Sequence, residues 1–88
     1  MFTLRKNRIE SDEGFAIEFD RDHLHYVRDS LRIRLNHEMG PRRKALAVWR
    51  DSISSLNPDS DLTASQYEGI VQDVARAFPA VDYEITVI

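Results

Sequence analysis

The sequence predicts an α+β domain in which an antiparallel β-sheet of about five strands is packed by one long C-terminal helix. Two patterns carry this prediction. Over the first half of the chain, apolar and polar residues alternate with period two, which is typical of half-buried strands. Near the C-terminus, one segment changes to apolar spacings of three and four, which indicate an amphipathic helix. The chain 1–88 is interpreted as a single small domain, because no repeat or Pro/Gly-rich linker divides it.

The first strand is predicted in "GFAIEF", where Phe15, Ile17 and Phe19 alternate with Ala16 and Glu18. Three apolar side chains on one face and a mixed second face are typical of a strand that packs on a core.

A β-hairpin is predicted next, in "LHYVR" and "LRIRLN", with a two-residue loop at 29–30. With that loop, Tyr26 lies opposite Ile33 and His25 lies opposite Arg34. Apolar residues then share one face and polar residues share the other, whereas a one-residue slip would mix them.

Further along the chain, 45–50 ("ALAVWR") is apolar enough for a central strand, and core packing is the favoured interpretation of Trp49. Residues 51–56 are consistent with a single helical turn in which Asp51 is the candidate cap. Alternation at 81–87 predicts a final strand.

The clearest element is the helix predicted over 63–78. Thr63 and Gln66 have the spacing of a capping box, and Pro79 is expected to end the helix. Gly69 costs about 1 kcal/mol against alanine in a helix, which is consistent with close backbone packing there. The apolar stripe consists of Tyr67, Ile70, Val71, Val74, Ala77 and Phe78.

Composition limits the possible functions. The chain has no cysteine, which excludes disulfides and thiolate sites and suits a reducing cytoplasm. No apolar run approaches the roughly 18 residues of a membrane span, and no signal-peptide core is present, so a cytoplasmic protein without a membrane partner is expected. The net charge of −3 conceals an asymmetry, since 21–50 carry +5 and 51–88 carry −6.

The histidines raise the question of a metal site. His23, His25 and His37, with Asp22 or Glu38, contain suitable ligand types. The predicted hairpin places an arginine opposite His25, however, and positive charge there opposes a cation. We expect no metal and no cofactor.

An enzyme is not expected either. Catalysis with His25 as base and Arg32 and Arg34 holding phosphate lacks a second acid, and the chain has no glycine-rich phosphate loop. The same three residues form what we call the basic face, and they define the alternative function: a small nucleic-acid-binding or regulatory adaptor domain. A sequence pI near 5.5 has the wrong sign for a general nucleic-acid binder.

The C-terminal half carries four short motifs in a fixed order: an Asp-Ser-Ile turn at 51–53, an acidic stretch at 59–62, branched helix residues at 70–74 and an acidic-aliphatic strand at 83–85. In this order they resemble the C-terminal half of small bacterial polymorphic-toxin immunity proteins, the group labelled immunity protein 74. This chain departs from that pattern at Leu56, where the family has a tryptophan, and at Gly69, where a longer residue is usual.

The resemblance implies a protein that binds and neutralises a cognate toxin domain in the cytoplasm of the producing cell. Many such toxins are nucleases with basic clefts, which an acidic surface can block. The negative balance of 51–88 therefore makes Asp59, Asp61, Glu68 and Asp73 the expected partner-binding residues. A homodimer joined through the C-terminal edge strand also stays open, because Ile88 falls on the polar face of that strand.

Overall fold

The computed structural model describes residues 1–88 as a curled, half-barrel sheet of seven strands with one helix of 17 residues. Strand order in the sheet follows chain order from the first strand to the seventh. The elements are β1 (Phe2–Arg5), β2 (Arg8–Ser11), β3 (Ala16–Phe19), β4 (Leu24–Arg28), β5 (Leu31–Met39), β6 (Ala45–Trp49), α1 (Ser52–Leu56), α2 (Ala64–Ala80) and β7 (Glu84–Val87).

The predicted architecture, an antiparallel sheet of about five strands packed by a long helix, is wrong in strand number and in topology. Sheet dominates the fold, and the sheet is mixed because β6 and β7 run parallel. The coarser α+β assignment holds, since six strands precede the two helices and only β7 follows them.

The two strands missed from the sequence form the hairpin β1–β2, which extends the sheet beyond β3. Asn7 makes the tight turn between them with a φ of 56°, a left-handed conformation that asparagine tolerates. Only Ile9 in this hairpin is fully buried, so the hairpin lacks the apolar alternation that identifies the other strands.

The central hairpin β4–β5 has the predicted register. Tyr26 pairs with Ile33 and His25 pairs with Arg34. Asp29 adopts a φ of 54° in the two-residue turn. The apolar members of these pairs are buried and the polar members face outward, which confirms the sequence interpretation.

Strand β5 is nine residues long and changes partner halfway, which curls the sheet. Its first half pairs with β4 and its second half with β6. Helix α1 covers the edge of the first half of β5, which β6 does not pair with. Asn57, at the C-terminal end of α1, accepts from the Arg34 N–H at 3.0 Å and donates to the Arg34 carbonyl at 2.8 Å.

The last strand is shorter than predicted, Glu84–Val87 rather than 81–87, and its direction follows from the helix before it. A helix of 17 residues spans about 25 Å, longer than a five-residue strand, and returns the chain to the end of the sheet where β6 begins. Glu84 therefore pairs with Ala45, and Val87 with Val48, in parallel. A parallel neighbour requires such a crossover.

Helix α2 has the predicted capping box, since Thr63 Oγ1 accepts from the Gln66 N–H and the Gln66 side chain accepts from the Thr63 N–H. Pro79 does not end the helix, which continues to Ala80. A proline in the last turn removes only one backbone hydrogen bond, and buried Phe78 holds that turn against Phe19 and Tyr83.

The core lies between α2 and the inner face of the sheet, and its helix residues are those of the predicted stripe, with Tyr67 at the margin. Two local predictions fail. Apart from the backbone of its own helix and its two chain neighbours, no atom lies within 4 Å of a Cβ placed on Gly69, so no other element packs closely there. Trp49 lies outside the core because Leu46 and Val48 occupy the inner face of β6.

Candidate functional site

The inner face of the sheet is filled by the core, so candidate sites lie on the outer face and on the loops that flank α2. No helix is long and apolar enough to cross a membrane. We describe first the basic face, then the histidines, and then the four predicted acidic residues.

The basic face carries less free charge than the sequence indicates. Arg32 forms an ion pair with Glu18 at 2.6 Å, and Glu18 also pairs with Arg8. The hydrogen bond from Arg32 holds the pKa of Glu18 below its usual value. Of the two predicted arginines, only Arg34 has no ion pair.

His25 adds less positive charge to the basic face than an ordinary histidine would. Partial burial, followed by the nearby charges of Arg32, His23 and Arg34, lowers the pKa of His25 below its ordinary value of 6.5. The basic face therefore contains one guanidinium without an ion pair, that of Arg34, beside an imidazole whose charged form is disfavoured.

The three histidines do not converge. His23 and His25 stack on the outer face with ring centres 6.0 Å apart. His37 lies on the opposite face of β5, where its Nε2–H donates to the Asp20 carbonyl at 2.8 Å. The chain contains no group of three or more His, Asp or Glu side chains placed to hold a metal ion.

Asp73 is an internal link between the helix and the sheet. Its side chain is 20% exposed and accepts a hydrogen bond from the Tyr26 hydroxyl at 2.8 Å. Arg76 pairs with it at 2.7 Å, and Arg28 lies 3.8 Å away while donating to the same Tyr26 hydroxyl. Burial raises the pKa of Tyr26, and the hydrogen bond to Asp73 raises it further.

Glu68 is also engaged within the chain. It forms an ion pair with Arg50 at 3.1 Å and accepts from Gln72 at 3.1 Å. Arg50 comes directly after β6, so this pair joins the sheet to α2. The chain's own cations therefore offset the negative charge of two of the four predicted acidic residues.

Asp59 and Asp61 differ from these two. Both are exposed, and neither forms an ion pair. They lie in residues 57–63, which connect α1 to α2 and which we call the acidic loop. Asp51, immediately before α1, is a third exposed carboxylate without a cation.

The acidic loop is tied down at both ends and in its middle. Asn57 bonds to β5 as described, and the capping box fixes Thr63. Between them, Ser60 Oγ hydrogen-bonds the Tyr67 hydroxyl of α2. Sequence reasoning missed the role of Asn57, because its partner is 23 residues away and no local pattern links the two.

Asp51 occupies the predicted N-cap position of α1, but its side chain makes no capping hydrogen bond. Ser52 takes over the connection to the sheet. Its hydroxyl donates to the Trp49 carbonyl at 2.6 Å and accepts from the Asn36 N–H at 3.2 Å. The Asp51 carboxylate is thus free to face solvent.

Two shallow clefts border these elements. One, of about 420 Å³, runs between the acidic loop and the β4–β5 turn and includes Asp59 and Arg32 in its lining. The other, of about 320 Å³, lies between α2 and the same turn, with Gly69, Leu62 and Asp73 among its lining residues. The acidic loop and the basic face thus adjoin at the first cleft.

Comparisons with family models, curated proteins and solved structures find no match to this chain. The class of the molecule is therefore defined by its own fold: a curled, mixed seven-stranded sheet with a crossover helix and an anchored acidic loop. The resemblance of its C-terminal half to immunity proteins stays a prediction.

Proposed function

We propose that this chain is an immunity protein, which binds a cognate bacterial toxin domain and neutralises it by protein–protein contact in the cytoplasm. The observation that carries the proposal is the pair of exposed carboxylates, Asp59 and Asp61, which lie on an anchored loop and form no ion pair within the chain. The resemblance of the C-terminal half to immunity proteins adds to it.

Free carboxylates suit a basic partner better than paired ones. Glu68 and Asp73 must release Arg50 or Arg76 before they can accept a cation from a partner. Asp51, Asp59 and Asp61 need no such exchange, so their field is available to steer a basic protein surface during encounter. We therefore narrow the partner-binding set to the acidic loop and Asp51.

Anchoring of the loop favours tight binding. A loop that is ordered before encounter loses little conformational entropy on binding, which leaves more of the interaction energy as affinity. The Asn57 and Ser60 hydrogen bonds supply that order without using either carboxylate.

The alternative function, nucleic-acid binding through His25, Arg32 and Arg34, receives less support. Glu18 pairs with Arg32 and offsets part of its charge, and the lowered pKa of His25 disfavours the charged imidazole. Binding that depends on phosphate contacts requires several free cations, and this face offers one.

The test is co-expression with the toxin domain encoded by the neighbouring gene. Wild-type chain should restore growth, and the double variant Asp59→Lys/Asp61→Lys should restore it poorly at equal protein level. The matched control is Asp22→Lys/Glu38→Lys, which makes the same charge change at two exposed carboxylates outside the loop and without ion pairs. The control should protect like wild type.

Failure of wild-type chain to protect, or the lack of an adjacent toxin gene, would refute the immunity role. Equal protection by wild type and both double variants would refute the acidic loop as the contact.

A further inference from the structure

Strand β7 ends the sheet, with β6 on one side and no strand on the other. Its hydrogen bonds to β6 use alternate residues. The Glu84 N–H donates to the Lys44 carbonyl, the Ile88 N–H donates to the Val48 carbonyl, and Ile88 accepts from Arg50. In a parallel ladder the residues between these point their main-chain groups the other way.

Those intervening residues are Ile85 and Val87. Their N–H and C=O groups point to the open edge, and neither residue takes part in a hydrogen bond outside the ladder. Two donors and two acceptors thus form a short, regular row. Such a row is a template for another strand.

We propose that a second copy of this chain pairs with β7 in antiparallel register about a two-fold axis at Thr86, which joins the two sheets into one. In that register Ile85 lies opposite Val87 of the second copy, and Val87 lies opposite Ile85 of the second copy. Each pair exchanges two hydrogen bonds, so all the open groups on both copies are satisfied.

The neighbouring register is poorer. An axis at Ile85 would place Val87 opposite Tyr83 of the second copy, and the Tyr83 N–H already donates to the Phe78 carbonyl at 3.0 Å. A shift by one residue in either direction would place inner-face side chains beside outer-face ones, because side chains alternate along a strand. Hydrogen bonding and the direction of the side chains therefore favour the axis at Thr86 over these registers.

The side chains agree with this register. Thr86 meets its own copy, a favourable cross-strand pair, and Glu84 meets Ile88 of the second copy rather than another acid. The Glu84 charge is balanced within its own chain by Arg42 at 2.7 Å.

The β7 edge is only partly protected against pairing. Natural edges are blocked by short strands, charged side chains, proline or bulges. Strand β7 is short and carries Glu84, but that carboxylate pairs with Arg42, and the two residues with open main-chain groups, Ile85 and Val87, are apolar. The opposite edge differs, since β1 carries Arg5 and leads into Lys6. This contrast favours β7 as the edge that a second copy joins.

The proposal is independent of the immunity function, because its test needs no toxin. Sedimentation of the purified full chain should show a concentration-dependent change from the 10.2 kDa monomer to twice that mass. A chain that stays monomeric at every concentration overturns the proposal.

Single-cysteine variants test the register, because the native chain has no cysteine. At the axis the two copies of position 86 form a non-hydrogen-bonded pair with Cα atoms about 4.5 Å apart, within disulfide reach. The two copies of position 84 lie about 14 Å apart along the strands, beyond reach. Under mild oxidation Thr86→Cys should cross-link at least tenfold faster than Glu84→Cys, although both positions are exposed on the same face. Equal rates overturn the register.

A charge-swap experiment serves as a second readout. Thr86→Lys alone and Thr86→Glu alone should each sediment as monomers, because like charges meet across the axis. An equal mixture should recover the dimer. A mixture that stays monomeric, or a Thr86→Lys variant that dimerises like wild type, would contradict the proposal.

Discussion

The hydrogen bond between the Tyr26 hydroxyl and Asp73 decides whether Asp73 is a structural or a partner-binding residue. The bond is 2.8 Å long, Tyr26 is 2% exposed and the Asp73 side chain is 20% exposed. A hydrogen bond to a charged group contributes about 1.5–3 kcal/mol, and the partial exposure of Asp73 places this one near 2 kcal/mol. Tyr26→Phe should therefore lower the thermal midpoint by about 10 °C in a domain of this size.

A double-mutant cycle separates the free energy of this hydrogen bond from the change in helix propensity that Asp73→Ala also causes. Tyr26→Phe, Asp73→Ala and the double variant, measured by urea denaturation, should give a coupling free energy of about 1.5–2 kcal/mol. Asp61→Ala combined with Tyr26→Phe is the matched control and should be additive within about 0.5 kcal/mol. A Tyr26–Asp73 coupling no larger than that of the control would refute the structural role of Asp73.

Two further predictions concern the helix and the outer face. Gly69→Ala should stabilise the chain by about 1 kcal/mol in chemical denaturation, because alanine favours the helix and its Cβ meets no atom within 4 Å. Gly40→Ala is the control, because a Cβ at that position would lie 3.3 Å from the Ala45 carbonyl oxygen, and it should stabilise the chain less than Gly69→Ala. A loss of stability in Gly69→Ala would show that this face of α2 is not open. The pKa of His25 is lowered in the folded chain, so the unfolded chain binds more protons as the pH falls below about 6.5 and the folded state loses stability. His25→Gln should remove this loss in melts between pH 7.5 and about 5.5, and an unchanged pH dependence would argue against a neutral His25.

Sequence reasoning succeeded where one local pattern determines the structure. The register of the β4–β5 hairpin follows from the requirement that apolar side chains share one face of the sheet, since a one-residue slip would place polar side chains beside apolar ones. The capping box at Thr63 is likewise a contact over three residues. Both can be predicted without knowledge of the rest of the chain.

Sequence reasoning failed where contacts between distant segments determine the structure. The β1–β2 hairpin buries only Ile9 fully and has little apolar alternation, so it is held mainly by pairing with β3. Trp49 alternates with Leu46 and Val48 as expected, but the pattern does not say which side of β6 meets α2. The direction of β7 depends on which strand it pairs with after the crossover helix, and no local pattern identifies β6 as that strand.

The candidate site shows the same division. The acidic character of 51–88 can be counted from the sequence, and the pairing of Asp73 with Arg76 is local to α2, but Arg50, which pairs with Glu68, and Tyr26 and Arg28, which hold Asp73 to the sheet, come from other elements. Arg50 lies 18 residues from Glu68 and Tyr26 lies 47 residues from Asp73. Only the fold separates these engaged carboxylates from the free ones at Asp59 and Asp61.

The most direct measurement of the central claim is the association rate between the chain and its toxin domain as a function of salt. The wild-type rate should fall steeply with ionic strength, and Asp59→Lys/Asp61→Lys should associate at least about tenfold more slowly at low salt with a flatter dependence. Asp22→Lys/Glu38→Lys should retain most of the wild-type slope. If the loop variant and wild type show the same rate and the same salt dependence, the acidic loop is not the surface that the partner contacts.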